Sequence, residues 1–239
     1  RQRQMCIRDS DRLAGAAAGA VWCQGGSVSV GVGSLIDNVT GRAIYMDGGA
    51  AAIDGQIRNI TGAGAAWQGT AGTALHLRNS AQARLTANCR IDGDAVVSGG
   101  GSGVFVDSGC TLTVDSGAVI KNLPSGTAGI SGSGSVDFDG EITGLKGGAN
   151  AINMQNAYRC TIGPNGNIHH NNVTYGSIYV QGDGTLDIYG KINYNYSSDR
   201  AGGVCLAHNI GYNTASMYEG AEICLLYTSP SPRDRTRSR

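Results

Sequence analysis

Two stretches of the sequence share one spacing: Gly134-Ser-Val-Asp-Phe-Asp-Gly-Glu-Ile142 and Gly184-Thr-Leu-Asp-Ile-Tyr-Gly-Lys-Ile192. In both, apolar residues occupy alternate positions, a glycine follows, and the chain returns to isoleucine. A period of two is typical of a half-buried β-strand, and glycine favours the tight corner after it. Each stretch therefore predicts a short strand, a corner and a second strand.

Three sets of apolar positions recur in a fixed order along the chain. The first set is Ile36, Ile57, Ile91, Ile120, Ile142, Ile168, Ile192 and Ile223; the second begins strands at Val21, Ile44, Leu75, Val104, Ile130, Ile152, Ile178 and Val204; the third begins them at Val28, Ala51, Leu85, Leu112, Val136, Cys160, Leu186 and Ala215. Helical patterns of useful length are absent. The repeat predicts an all-β fold, a single-stranded parallel β-helix (β-solenoid) of about eight coils with three short strands per coil.

Asparagine and glycine occupy one corner of this repeat. Asn38, Asn59 and Asn122 stand two residues past an isoleucine of the first set, and Gly93 and Gly144 take that place in the coils between. Both residue types tolerate a left-handed backbone. The corner resembles the asparagine-bearing turn of right-handed parallel β-helices, the pectin-lyase-like superfamily. The resemblance implies the fold for nearly the whole repeat but leaves the activity open, because that superfamily includes lyases, hydrolases, phage tailspikes and adhesin-like surface proteins.

The two ends of the chain differ from this body. In opposite orientations, one transposase-type sequencing adaptor encodes Gln4 to Ser10 and Cys224 to Ser229. We therefore expect adaptor-derived residues at 1–10 and 224–239 and a β-helix fragment, from bacterial environmental DNA, at 11–223. The ends hold seven of the 18 basic and two of the 18 acidic residues, so the body has a net charge of −5. This charge favours no nucleic-acid partner, and no apolar run approaches the length of a membrane span.

The residues after the first-set isoleucines are expected to face solvent, because side chains alternate along a strand. In chain order they are Asp37, Arg58, Asp92, Lys121, Thr143, His169 and Asn193. The first four alternate acid and base, which predicts a stabilising ladder of exposed ion pairs rather than a catalytic site.

A second outer face carries Tyr45, His76 and Phe105 on successive coils. The same column continues with Asn153, Tyr179 and Cys205. An exposed aromatic stripe suits stacking on sugar rings, so Tyr45, His76 and Phe105 are ligand-binding candidates; ordinary surface packing is the alternative.

Trp67 is a further ligand-binding candidate. It lies in an insertion at 62–72, where the gap between first-set and second-set strands lengthens. Binding residues of solenoids often lie on such loops, although a loop folded onto the body would use the ring as a cover.

Aspartates gather on the third outer face. Asp137 and Asp139 belong to one strand, and Asp115 is expected beside Asp139 on the previous coil. Opposed carboxylates suit calcium binding or acid–base catalysis, so these three residues are the candidates for both roles. A solvated acidic patch is the alternative, since no lysine or arginine is expected on this face to act as the base of a lyase.

Histidine and cysteine predict no further site. His169 and His170 lie at a corner, and neighbouring residues on one strand are not expected to face one metal. No CxxC or HExxH spacing exists. Five cysteines in the body are odd in number and differ in repeat position, which argues against a disulfide framework. Calcium is thus the single cofactor that the sequence leaves open.

These patterns predict a structural and binding region of a bacterial secreted or cell-surface protein, adhesin-like, that contacts extracellular polysaccharide or host and cell-surface glycans. A carbohydrate-active β-helix enzyme, a polysaccharide lyase or glycoside hydrolase, is the alternative. Carboxylates together with a basic residue would favour the enzyme, and the sequence shows only the carboxylates.

Overall fold

A computed structural model describes residues 6–7, 19–61, 72–93, 98–147, 149–156, 158–207 and 212–228. Throughout these residues the regular structure is β-strand, and every pair of neighbouring strands is parallel. The chain winds as a right-handed parallel β-helix whose three long sheets form its sides, confirming the predicted fold. Eight strands in one column correspond to about seven full turns.

The three long sheets correspond to the three sets of apolar positions. The first sheet contains β1 (Cys6–Ile7), β4 (Leu35–Asp37), β7 (Gln56–Arg58), β10 (Arg90–Asp92), β13 (Val119–Lys121), β16 (Glu141–Thr143), β19 (Asn167–His169), β23 (Lys191–Asn193) and β27 (Glu222–Cys224). The second contains β2 (Gly19–Gln24), β5 (Arg42–Asp47), β8 (Thr73–Arg78), β11 (Ser98–Val106), β14 (Ser125–Gly132), β17 (Ile152–Gln155), β21 (Ile178–Gln181) and β25 (Val204–Ala207). The third contains β3 (Ser27–Val30), β6 (Ala50–Ile53), β9 (Gln82–Leu85), β12 (Thr111–Val114), β15 (Ser135–Phe138), β18 (Tyr158–Ile162), β22 (Gly184–Ile188) and β26 (Asn213–Met217).

The predicted register is confirmed in the first and second sheets. Each isoleucine of the first set is paired with the next, and the second set is paired in the same way. In the third sheet one prediction is wrong, because Ala51 pairs with Ala83 and not with Leu85. Leu85 lies two residues further along, opposite Ile53 and Val114, which leaves the inward and outward faces unchanged.

The inward residues stack into one apolar core along the helix axis. Ile57, Ile120, Ile142 and Ile168 are fully buried in the first sheet, and residues from the other sheets pack against them. Each coil places its apolar residue directly above that of the previous coil, and burial falls in the last coil, where Val204 and Ile223 are only partly buried. Phe138 is the largest fully buried side chain.

The corner after the first sheet uses the left-handed backbone, as the asparagines predicted. Asn38, Asn59, Asn122 and Gly144 have φ between 54° and 69°. Gly93 occupies the equivalent place without a positive φ. The column also includes His170 and Tyr194, both at φ 52°. Histidine is among the residue types enriched in this conformation, whereas tyrosine is not.

A fourth, small sheet lies beyond this corner in the last coils. It consists of β20 (Asn172–Val173), β24 (Tyr196–Ser197) and β28 (Tyr227–Thr228). Strand pairing therefore continues past residue 223, the predicted end of the body. An unpaired strand edge, such as that of β24, can pair with a segment that follows it. In the described part of the chain, no helix has the length and apolar character needed to cross a membrane.

Candidate functional site

The predicted aromatic column exists, but its rings are buried. Tyr45, His76 and Phe105 are paired in register on β5, β8 and β11, and each is only 5–6% exposed. The prediction that this stripe is exposed is wrong. These rings therefore offer little surface on which a sugar could stack.

The rings are buried because they cover one another. Tyr45 and His76 meet edge to face with centroids 5.0 Å apart, and His76 meets Phe105 in the same way at 5.1 Å. The guanidinium of Arg42 lies 5.0 Å from the Tyr45 ring centroid, and His76 Nε2 lies 3.2 Å from Asp107 Oδ2. Adjacent parallel strands are close enough for rings in one column to pack against each other.

The remaining aromatic candidate, Trp67, lies outside the described residues, as does nearly all of its insertion. Its role as a ligand-binding residue remains a prediction.

Asp115 pairs with a base that sequence reasoning missed. Arg84 on β9 points outward from the third sheet, and its Nε lies 3.0 and 2.8 Å from the two carboxylate oxygens of Asp115. Arg159, on β18, is also exposed on this sheet. The prediction that no arginine occupies this face is therefore wrong. Its cause is the misplaced start of the third-set strand at Leu85, which left Arg84 outside the assigned strand.

The other two aspartates, Asp137 and Asp139, have different surroundings. Asp137 is exposed on β15, whereas Asp139 accepts hydrogen bonds from the backbone N–H and the side-chain amide of Asn165, at 2.8 and 2.7 Å. Asp139 thus fixes the corner of the following coil. No group of three or more metal-ligating side chains converges among the described residues.

A different surface combines exposed aromatic rings with amides, on the outer face of the second sheet in the last coils. Tyr179 on β21 continues the column of the buried rings, and Tyr175 precedes the same strand with its ring centroid 5.6 Å away. Tyr175 is 39% exposed, and the Arg200 guanidinium lies 4.9 Å from its centroid. We call Tyr175, Tyr179, Arg200 and the neighbouring amides the tyrosine–amide face.

The amides of this face come from paired strands. Asn153 is the register partner of Tyr179, and Gln155 is that of Gln181. The Tyr179 hydroxyl donates to Gln181 Oε1 at 3.3 Å, and Gln155 Nε2 donates to Asn153 Oδ1 at 3.4 Å. Beside them lies a concavity of about 200 Å³, lined by Gly132, Ser133, Asn153, Gln155 and Asn156.

The electrostatics of the face keep its polar groups in their ordinary forms. Burial raises the pKa of the Tyr179 hydroxyl, so this group stays a neutral donor. An interaction with the Cys205 side chain, ahead of smaller contributions from Tyr179 and Asp199, raises the pKa of Arg200. The face thus offers the exposed Arg200 cation, 3.8 Å from the Asp199 carboxylate, beside neutral donors and acceptors.

Sequence reasoning found two members of this face, Asn153 and Tyr179, as later positions of the aromatic column. It missed Tyr175 and Arg200, which lie on corner segments outside the three strand sets. One signal could have located them: nine of the ten tyrosines lie at or after residue 158.

Comparisons with protein-family models, with curated proteins and with solved structures found no match to this chain.

Proposed function

We propose that this chain is a rigid binding region of a secreted or cell-surface, adhesin-like bacterial protein, and that its tyrosine–amide face binds extracellular polysaccharide or cell-surface glycan. One observation carries the proposal: Tyr179 and three amides are held on adjacent parallel strands, with Tyr175 at the preceding corner and a shallow concavity beside them. Aromatic rings present an apolar face with a polar rim, and amides both donate and accept, which is what a hydroxyl-rich ring requires.

The backbone supports this role because it holds the side chains at fixed spacing. Asn153 and Tyr179 are direct partners in the ladder, so binding a polymer orders few groups that are not already ordered. The surface is open along the helix axis, which suits an extended chain better than a small molecule. Arg200 adds a cation that favours polymers carrying carboxylate or sulfate.

The experiment compares binding of soluble polysaccharides, neutral glucan and polyuronate, by affinity electrophoresis and calorimetry. The double substitution Tyr175→Ala with Tyr179→Ala should weaken binding at least ~10-fold, about 1.4 kcal/mol. Tyr218→Ala is the matched control, because Tyr218 is 42% exposed on another corner and contacts Asp187. Equal binding by the control, the double variant and the unmodified chain would refute the proposal.

The enzyme is the second candidate, and Arg84 gives it one supporting observation. A concavity of about 260 Å³ on the third sheet is lined in part by Arg84 and Thr113, next to Asp115. A lyase or hydrolase acting on acidic polysaccharide would use this surface, with Asp115 as its acid–base group. Product formation from polyuronate with millimolar calcium, lost in Asp115→Asn, would establish it; an unchanged polymer would dismiss it.

A further inference from the structure

The corner after β19 brings two histidine rings together. Neighbouring residues on a regular strand point to opposite faces, so His169 and His170 were not expected to converge. His170, however, has a left-handed backbone with φ 52°, which turns its side chain back toward its neighbour. The Nδ1 atoms of His169 and His170 lie 2.7 Å apart. The expectation that these two rings face apart is therefore wrong.

The orientation of both rings is fixed by groups around them. His169 Nε2 lies 3.1 Å from Glu141 Oε1 on the adjacent strand, so the carboxylate accepts the Nε2 proton and Nδ1 of His169 carries a lone pair. The Thr143 hydroxyl oxygen lies 3.4 Å from the same Nδ1 atom. The His170 ring stacks on Tyr194 with centroids 5.0 Å apart and planes within 6°. A carboxylate behind a ligating imidazole is the usual outer partner of histidine metal ligands.

We propose that Nδ1 of His169 and Nδ1 of His170 together bind a divalent transition-metal ion, with Cu²⁺ preferred. Two ligands about 2.0–2.1 Å from a metal and at right angles lie about 2.9 Å apart, close to the spacing already present. In the free protein the Nδ1–H of His170 donates to Nδ1 of His169. When the metal binds, His170 loses this proton and takes one from water at its exposed Nε2, so both rings bind as neutral imidazoles without net proton release.

The donor set determines the class of metal. Imidazole nitrogens suit copper, nickel and zinc, whereas calcium prefers oxygen. No third histidine, cysteine or carboxylate converges with these rings in the described part of the chain, so water completes the coordination. His170 is exposed and the His169 side chain is 19% exposed, which leaves the metal accessible to exchange. The site is separate in its residues from the tyrosine–amide face.

The test is calorimetric titration of the full chain with Cu²⁺, Ni²⁺ and Zn²⁺, together with electron paramagnetic resonance of the copper form. One site should bind Cu²⁺ most tightly, and its spectrum should show nitrogen ligation. His170→Asn removes one ligand while keeping a residue type that Asn59 and Asn122 use at the same corner, so the fold should be retained.

We expect His170→Asn to abolish this site and Glu141→Gln to weaken it roughly 10–100-fold, the range for lost outer-shell partners. Glu222→Gln is the matched control, because Glu222 is an exposed carboxylate on the same sheet, 3.4 Å from Lys191. Retention of the nitrogen-ligated copper signal in His170→Asn, with unchanged circular dichroism, would overturn the proposal. An unmodified chain without a nitrogen-ligated site would overturn it as well.

Discussion

The side-chain oxygen of Asn195 accepts two hydrogen bonds from Asn171 on the previous coil, one from its backbone N–H at 3.0 Å and one from its amide at 3.1 Å. Both asparagines are buried. Each amide also donates to a backbone carbonyl of an earlier strand, Asn171 to Ile142 at 3.0 Å and Asn195 to Ile168 at 2.8 Å. These bonds satisfy backbone groups at a bend where no ladder can reach them.

Asn195→Ala should therefore destabilise the last coils. The substitution leaves the Asn171 N–H and the Ile168 carbonyl without these partners in a buried corner, and each unpaired group costs about 1–3 kcal/mol. Urea unfolding should show the loss as a lower midpoint. Asn193→Ala, two residues earlier and only half-buried, is the matched control and should change the midpoint far less.

The charged ladder on the first sheet predicts a pH dependence. Burial alone would raise the pKa of Asp37, but hydrogen bonds from Arg58 and Asn59 outweigh it and lower the pKa below its ordinary value. A carboxyl with a lowered folded-state pKa stabilises the fold above its unfolded pKa of about 3.9, and this stability is lost as pH falls through the folded value. Unfolding free energies at pH 7 and pH 3 should differ less in Asp37→Asn than in the unmodified chain.

Arg58→Gln provides the control for that comparison. Arg58 Nη2 lies 2.8 Å from Asp37 Oδ2, so its removal should abolish much of the same pH dependence. In the double variant the two effects should not add, because both act on one pair. Additive effects would show that other groups produce the pH dependence.

The strands were predictable because their information is local. Inward residues of the first sheet repeat as isoleucine, and a period of two separates them from outward residues within three or four positions. The register at Leu85 was not predictable from the sequence, because a shift of two residues keeps the same residues inward and leaves the pattern equally apolar. The burial of Phe105 and the pairing of Arg84 with Asp115 depend on residues of the neighbouring coil. The sequence of a single strand does not determine the register of that coil.

The residues of the candidate site also differ in whether the sequence predicts them. Asn153 and Tyr179 follow from repeat spacing, since they occupy equivalent places in successive coils. Tyr175 and Arg200 lie on corners of variable length, so spacing does not place them. The convergence of His169 and His170 depends on a left-handed backbone at His170, a conformation in which histidine is enriched but which is still uncommon for any residue other than glycine.

Gly49 should tolerate no side chain. Its φ is +77°, and a Cβ there would overlap the carbonyl oxygen of Gly26 on the previous coil. Gly49→Ala should lower the free energy of unfolding by more than about 1 kcal/mol, the usual cost of alanine in a left-handed position. Gly31→Ala is the matched control, because no atom lies within 4 Å of a Cβ at that corner. Equal thermal midpoints for both variants would contradict the close approach of the two coils.

The buried aromatic column should act in stability and not in binding. Phe105 is 6% exposed and packs against His76, so Phe105→Ala removes a large buried ring and should cost about 3–5 kcal/mol. Phe105→Leu keeps most of the volume and should cost less. Chemical unfolding measures both losses, and polysaccharide binding by the folded Phe105→Leu variant should equal that of the unmodified chain. Weaker binding without loss of stability would instead show that this column takes part in polysaccharide binding.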